Sequence, residues 1–153
     1  MKILVMSDSH GDTKSILKAI QREMPDMVLH LGDYDKDAAV IAKDYPDIPY
    51  RVVRGNCDYM SFGPQSDEFA IEGKRFYMVH GHQYRVKTGL SSMINDVLYR
   101  DVDVLLFGHT HVPYYSTVEG LTILNPGNIG MYKSTYAILE CKNGELSCEI
   151  MNI

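Results

Sequence analysis

Along the chain, short uninterrupted apolar runs alternate with segments whose apolar residues recur at helical spacing. Residues 2–6 (KILVM), 27–31 (MVLHL), 50–53 (YRVV), 76–79 (FYMV) and 103–107 (DVLLF) are brief, apolar and bounded by turn formers. A half-exposed strand would alternate polar and apolar, so these runs predict five strands covered on both faces or nearly so. Between the first two, Ile16, Leu17, Ile20 and Met24 fall on one helical face, with Asp12 placed to cap the start and Pro25 to end it. Residues 88–99 repeat the pattern: Leu90, Met93, Ile94, Val97 and Leu98 form a stripe behind Thr88. A shorter helix is predicted over Asp35–Lys43, ending before Pro46.

The second half turns to hairpins. FAIEGKRF, YSTVEGLTIL and YAILECKNGELSCEI each place Glu-Gly or Asn-Gly between extended segments. A two-residue turn at Asn143 and Gly144 puts Ala137, Leu139, Cys141, Leu146, Cys148 and Ile150 on one face, opposite Glu140, Lys142, Glu145, Ser147 and Glu149. That register predicts both late cysteines as core packing. The coarse architecture is α/β: βαβα followed by antiparallel pieces, two sheets with helices outside.

Length and composition narrow this to one domain over residues 1–153, since 45% hydrophobic residues suffice for a core without disulfide or metal staples. The three cysteines Cys57, Cys141 and Cys148 form no CxxC pair and no disulfide framework. With neither a signal peptide nor a membrane-length apolar stretch, a cytoplasmic protein is expected. The net charge of −5, spread along the chain, lacks the basic stripe that gripping duplex nucleic acid requires.

The chemistry sits where the apolar runs stop. They lead in turn to Asp8 and His10, to Asp33, to Asn56, to His80 and His82, and to His109 and His111, nearly always beside a glycine. In α/β sheets, ligands bind beyond the carboxyl ends of the strands, so these tips are expected to converge. Any one of them is a plausible turn former or solvated histidine, and His30, inside a run, is assigned to structure. Together they make a set of oxygen and nitrogen donors suited to Mn, Fe, Ni, Zn or Mg and too large for one ion. Two divalent ions sharing one carboxylate, with manganese placed first, accommodate the set.

The ordered series Asp8-x-His10, Gly32-Asp33, Gly55-Asn56-x-Asp58, His80-Gly81-His82 and Gly108-His109-Thr110-His111 resembles the calcineurin-like metallophosphoesterase superfamily, in particular its small YfcE-type phosphodiesterases. The resemblance covers the whole chain and implies a four-layer α/β/β/α sandwich of two mixed sheets flanked by helices. It implies that Asp8, His10, Asp33 and His111 hold one ion, that Asp33 bridges to a second, and that Asn56, His80 and His109 complete the second. It further implies in-line attack on phosphorus by a hydroxide bridging the ions, with Asp33 and Asn56 acting through the metals. His82 then either touches a phosphoryl oxygen, as Asn56 can, or orients His80. Where much of the superfamily has a histidine thought to protonate the leaving group, this chain has Cys57, so acid assistance from Cys57 and its neighbour Asp58 is in doubt. The expected substrate is a small phosphoester with a good leaving group.

Two other functions are compatible with the same fold: a protein-binding scaffold of the retromer-subunit kind, and a nuclease using Arg51, Arg54, Arg75, Arg85, Lys87 and Arg100 as a basic groove. Tyr59 and Phe62, in the loop 59–68, can either rim the pocket or build a homo-oligomer.

Overall fold

The computed structural model describes residues 1–153. In chain order the elements are β1 (Lys2–Met6), α1 (Thr13–Glu23), β2 (Met27–His30), a 3-10 turn (Asp35–Ala38) running into α2 (Ala39–Asp44), β3 (Tyr50–Val52), β4 (Ser66–Ile71), β5 (Lys74–Val79), α3 (Ser91–Leu98), β6 (Val104–Phe107), β7 (Tyr114–Val118), β8 (Leu121–Asn125), β9 (Thr135–Lys142) and β10 (Glu145–Asn152). They build two five-stranded sheets, ordered β10-β9-β1-β2-β3 and β4-β5-β6-β8-β7. Both are mixed: β1, β2 and β3 run parallel in the first, and β5, β6 and β8 in the second.

The apolar runs are explained by where their two faces go. On β1, Ile3 and Val5 point into the layer between the sheets while Leu4 and Met6 point outward under α1. On β6, Val104 and Leu106 face the same inner layer, and Leu105 and Phe107 pack under Met93 and Val97 of α3. With no solvent face on either strand there is no position for a polar residue, hence the unbroken runs. Helix, sheet, sheet and helix stack in that order, which is the expected four-layer sandwich.

The hairpin register is as expected. Leu146 pairs with Cys141, Cys148 with Leu139 and Ile150 with Ala137, all on the inner layer. Asn143 and Gly144 both take left-handed backbone angles, φ 54° and 77°, as a two-residue hairpin turn demands. Cys141 is fully buried, while Cys148 is half-buried on the edge strand β10.

Three local expectations change. The run at 50–53 is an edge strand, not a covered one: Tyr50 is exposed, and Arg51 holds Asp67 at 2.7 Å, a charged border that blunts further pairing. In α1 the buried face is Ile16, Ala19 and Ile20. Met24 is exposed because it is the left-handed cap, its amide donating to the Ile20 carbonyl. The third helix begins at Ser91, since the Thr88 hydroxyl donates to the Arg85 carbonyl and closes a separate turn. No helix is long and apolar enough to cross a membrane.

Candidate metal centre

Parallel pairing places the carboxyl ends of β1, β2 and β3 together, and those of β5 and β6 face them from the other sheet. The expected convergence therefore occurs across two sheets rather than along one. Short backbone bonds tie the tips: the Asp8 amide to the Gly32 carbonyl at 2.9 Å, and the Gly108 amide to the His80 carbonyl at 3.0 Å. Two glycines act by close approach. A Cβ on Gly55 would collide with the Asp33 carboxylate, and one on Gly108 with the Ser7 hydroxyl.

The donors form three interlocking groups, each with its ligand atoms within 4.8 Å of one another: Asp8, His10 and His111; His10, Asp33 and Cys57; Asp33, His80 and His109. His10 and Asp33 each belong to two groups. Asp33 faces both ways, with Oδ2 at 3.9 Å from His10 Nε2 and Oδ1 at 3.5 Å from His80 Nε2. Asp8, His10, Asp33, His109 and His111 all hold left-handed backbone angles, φ 47° to 67°. Each such residue costs on the order of 1–3 kcal/mol and persists only where the surroundings over-determine it.

Asp8 is fully buried. Its Oδ2 accepts from the Ser7 hydroxyl at 2.5 Å and the His109 amide at 3.1 Å. Its Oδ1 lies 3.1 Å from His111 Nε2 and 3.9 Å from His10 Nε2. Yet Asp8 Oδ1 and His10 Nε2 are both buried without a hydrogen bond. Orphaned donor atoms of this kind are costly unless a cation satisfies them.

In the other group, His80 Nδ1 donates to the Leu31 carbonyl at 2.8 Å. With Nδ1 engaged, Nε2 of His80 faces Asn56 Oδ1 at 3.1 Å and His109 Nδ1 at 3.2 Å. Crowded ligand atoms again mark a place for positive charge, and the carbonyl fixes the ring as outer partners of metal-binding histidines do. Burial, then the neighbouring His80, pushes His109 down to about 4, whereas contact with the Asp8 carboxylate raises His111. His82 sits beside this group, its ring 5.4 Å from that of His80. The Leu31 carbonyl, bonded to Nδ1, helps to orient His80.

Cys57 and Asp58 part company. The Cys57 sulfur joins His10 and Asp33 in the middle group, a donor the sequence reading did not count. Burial, then Asp33, pushes its thiol up to about 11. Asp58 instead binds backbone: its carboxylate accepts from the amides of Gly55 at 2.7 Å, Tyr34 at 2.8 Å and Asp35 at 3.1 Å. It has no histidine partner and joins the loops after β2 and β3.

Sequence reasoning also missed an outer layer. His30 Nδ1 accepts from the Gly32 amide at 3.2 Å, so its Nε2 carries the proton and donates to Ser9 Oγ at 3.0 Å. The Ser9 hydroxyl in turn donates to Asp37 at 2.8 Å, which also takes the Gly11 amide at 2.7 Å. This buried chain grips the loop between Asp8 and His10 from beneath. Asn125, at the tip of β8, donates to the Gly108 carbonyl at 2.9 Å, and Asn128 donates to the His111 carbonyl at 3.3 Å. A polar residue ending the hairpin run YSTVEGLTIL was the available signal for Asn125.

Residues 1–144 match the model of the calcineurin-like phosphoesterase superfamily domain. The chain is 28% identical to Phosphodiesterase MJ0936 of Methanocaldococcus jannaschii, covering 95% of this chain and 96% of that one. A conserved Streptococcus pneumoniae TIGR4 protein described as a predicted phosphoesterase superposes with a TM-score of 0.84 at 25% identity, over 99% of this chain and 88% of that chain. Vps29 from Entamoeba histolytica, in a zinc complex, shares the fold with a TM-score of 0.78 at 23% identity, over 99% of each chain. Five strand-end motifs in order, two facing sheets and a family match over nearly the full length lead to one conclusion: the chain belongs to the calcineurin-like phosphoesterase superfamily.

Proposed function

We propose that residues 1–153 work as one domain and that this domain is a phosphodiesterase using two divalent cations, manganese the first candidate ahead of Ni, Fe, Zn or Mg. One ion is held by Asp8, His10, Asp33 and His111, and the other by Asp33, Asn56, His80 and His109. The observation that carries this is the pair of outer donor groups, joined by a middle group that shares His10 with one and Asp33 with the other, with Asp8 Oδ1 and His10 Nε2 of the first group buried and unsatisfied. When bound, the ions supply the positive charge that acidifies water for attack on phosphorus and neutralises phosphoryl oxygens.

The chain's own groups set the rest. Asp33 turns one oxygen towards His10 and the other towards His80, and so would serve both donor groups. Asn56 and the half-buried His82, whose Nδ1 has no partner, are placed to donate to a phosphoryl oxygen. With Cys57 where much of the superfamily has a histidine, the leaving group lacks an imidazole donor, so diesters with good leaving groups are the preferred substrates.

The likeness to Vps29 keeps a scaffold as the second reading, and here the donor set is complete. A nuclease fits less well, because Arg51, Arg75 and Arg100 are paired with Asp67, Asp101 and Asp96. The test is metal analysis of the purified chain followed by chelation and restoration, assayed on an aryl phosphodiester. Two equivalents of metal and Mn-restored hydrolysis are expected; a folded chain without metal or turnover would favour the scaffold.

A further inference from the structure

A cavity of about 340 Å³ lies between the loops that follow β2 and β3, lined by Tyr34, Lys36, Cys57, Tyr59, Met60 and Ser61 among others. Its inner wall is shared with the metal centre. Cys57 belongs to the donor group of His10 and Asp33, and the Tyr34 ring meets the His10 ring edge-on at 5.3 Å. Its outer wall is solvent-facing, with Tyr59 87% and Met60 91% exposed. Beneath it, Asp58 clamps the two loops through three amides, the Ser61 hydroxyl donates to Asp35, and Arg54 holds the Ser61 carbonyl at 3.3 Å. The Lys36 ammonium lies 5.2 Å from the centre of the Tyr34 ring.

A phosphodiester has two ester arms. With phosphorus at the donor groups, an arm leaving on the Cys57 side enters this cavity. A methyl or glyceryl arm would leave Tyr59 and Met60 in water, whereas a flat heteroaromatic ring covers both and lies near the Lys36 cation. The volume lies within the range of about 300–1,000 Å³ usual for small-molecule sites and leaves room for a sugar as well as a base. Base stacking on an aromatic side chain is sequence-tolerant and strong enough to matter in binding.

We propose that this cavity is a nucleoside subsite and that the substrate is a small nucleotide phosphodiester. The proposal rests on the metallophosphoesterase reading above. A polynucleotide is disfavoured by the net charge of −5 and by the arginines already paired with carboxylates.

Calorimetry on the full chain loaded with Mn²⁺, using AMP and inorganic phosphate as probes, tests it. AMP is expected to bind about tenfold more tightly than phosphate, the scale of one stacked base. Tyr59→Ala, at an exposed position, brings the two within about twofold, and Tyr59→Phe, which keeps the ring, retains the preference. Equal affinities in the wild type, or a preference that survives Tyr59→Ala, overturn the subsite. If Tyr59→Ala alters sedimentation but not the AMP preference, the exposed aromatics are an oligomer face and the subsite fails. Loss of phosphate binding along with AMP would instead remove the metal-centre reading beneath it.

Discussion

Cys57 occupies the position at which family resemblance expects a proton-donating histidine. The protein's own groups push its thiol up to about 11, through burial and Asp33. With no imidazole at this position, the leaving group departs largely unaided. Rates across a series of aryl and alkyl diesters are therefore expected to fall steeply as the leaving group's pKa rises. Cys57→His is expected to flatten that slope and to raise turnover of alkyl diesters about a hundredfold, the lower end of what a positioned acid supplies. An unchanged slope in the variant would remove the missing-acid explanation. His30 acts one layer further out, through Ser9 on the loop that carries Asp8 and His10. His30→Ala is expected to weaken metal binding by about 10–100-fold, read by competition against a chelator. His30→Gln, which keeps a donor near Ser9, should restore part of the affinity, an outcome that simple loss of packing would not give.

At the scale of elements, the sequence was most legible where physics allowed one solution. The runs KILVM and DVLLF have no solvent face, and the structure covers both sides of β1 and β6. The Asn143-Gly144 turn fixes the register of β9 and β10 because both residues must be left-handed. The site was legible for a related reason: a polar residue directly after a fully apolar run has no packing explanation. What stayed hidden depended on partners distant in sequence. YRVV reads like a covered strand, but β3 ends its sheet with nothing beyond it. His30 reads as a misplaced polar residue until Ser9 and Asp37 are brought to it. Gly55 serves proximity, its missing Cβ making room for Asp33. Gly55→Ala therefore predicts a displaced Asp33, with metal affinity reduced by about tenfold or more because Asp33 belongs to two donor groups. Gly73→Ala, where nothing lies within 4 Å and only the φ of +81° is unfavourable, is the comparison. It is expected to cost stability without touching metal affinity, and equal metal loss in both variants would refute the steric argument.

For the whole molecule, the relation between the metal centre and the core decides what metal removal does. Three hydrophobic clusters, one between the sheets and one under the helices on each side, hold the sandwich together, and none includes a donor residue. The donors sit at one end of the strands, where Asp8 and Asp33 are both buried and, with His10, His109 and His111, hold left-handed backbone angles. Chelation should therefore leave the fold standing while losing only what binding contributes. At metal concentrations about a hundred times Kd that contribution is about 2.7 kcal/mol. For a chain of this length each kcal/mol moves the melting midpoint by about 2–4 °C, so a fall of about 5–10 °C is expected. Calorimetric scans with and without chelator measure it, alongside far-ultraviolet circular dichroism at 25 °C, where the spectrum should not change. A chain that unfolds outright on chelation would show that the strand ends are part of the core. A midpoint that does not move would show that the buried donors bind no ion at all.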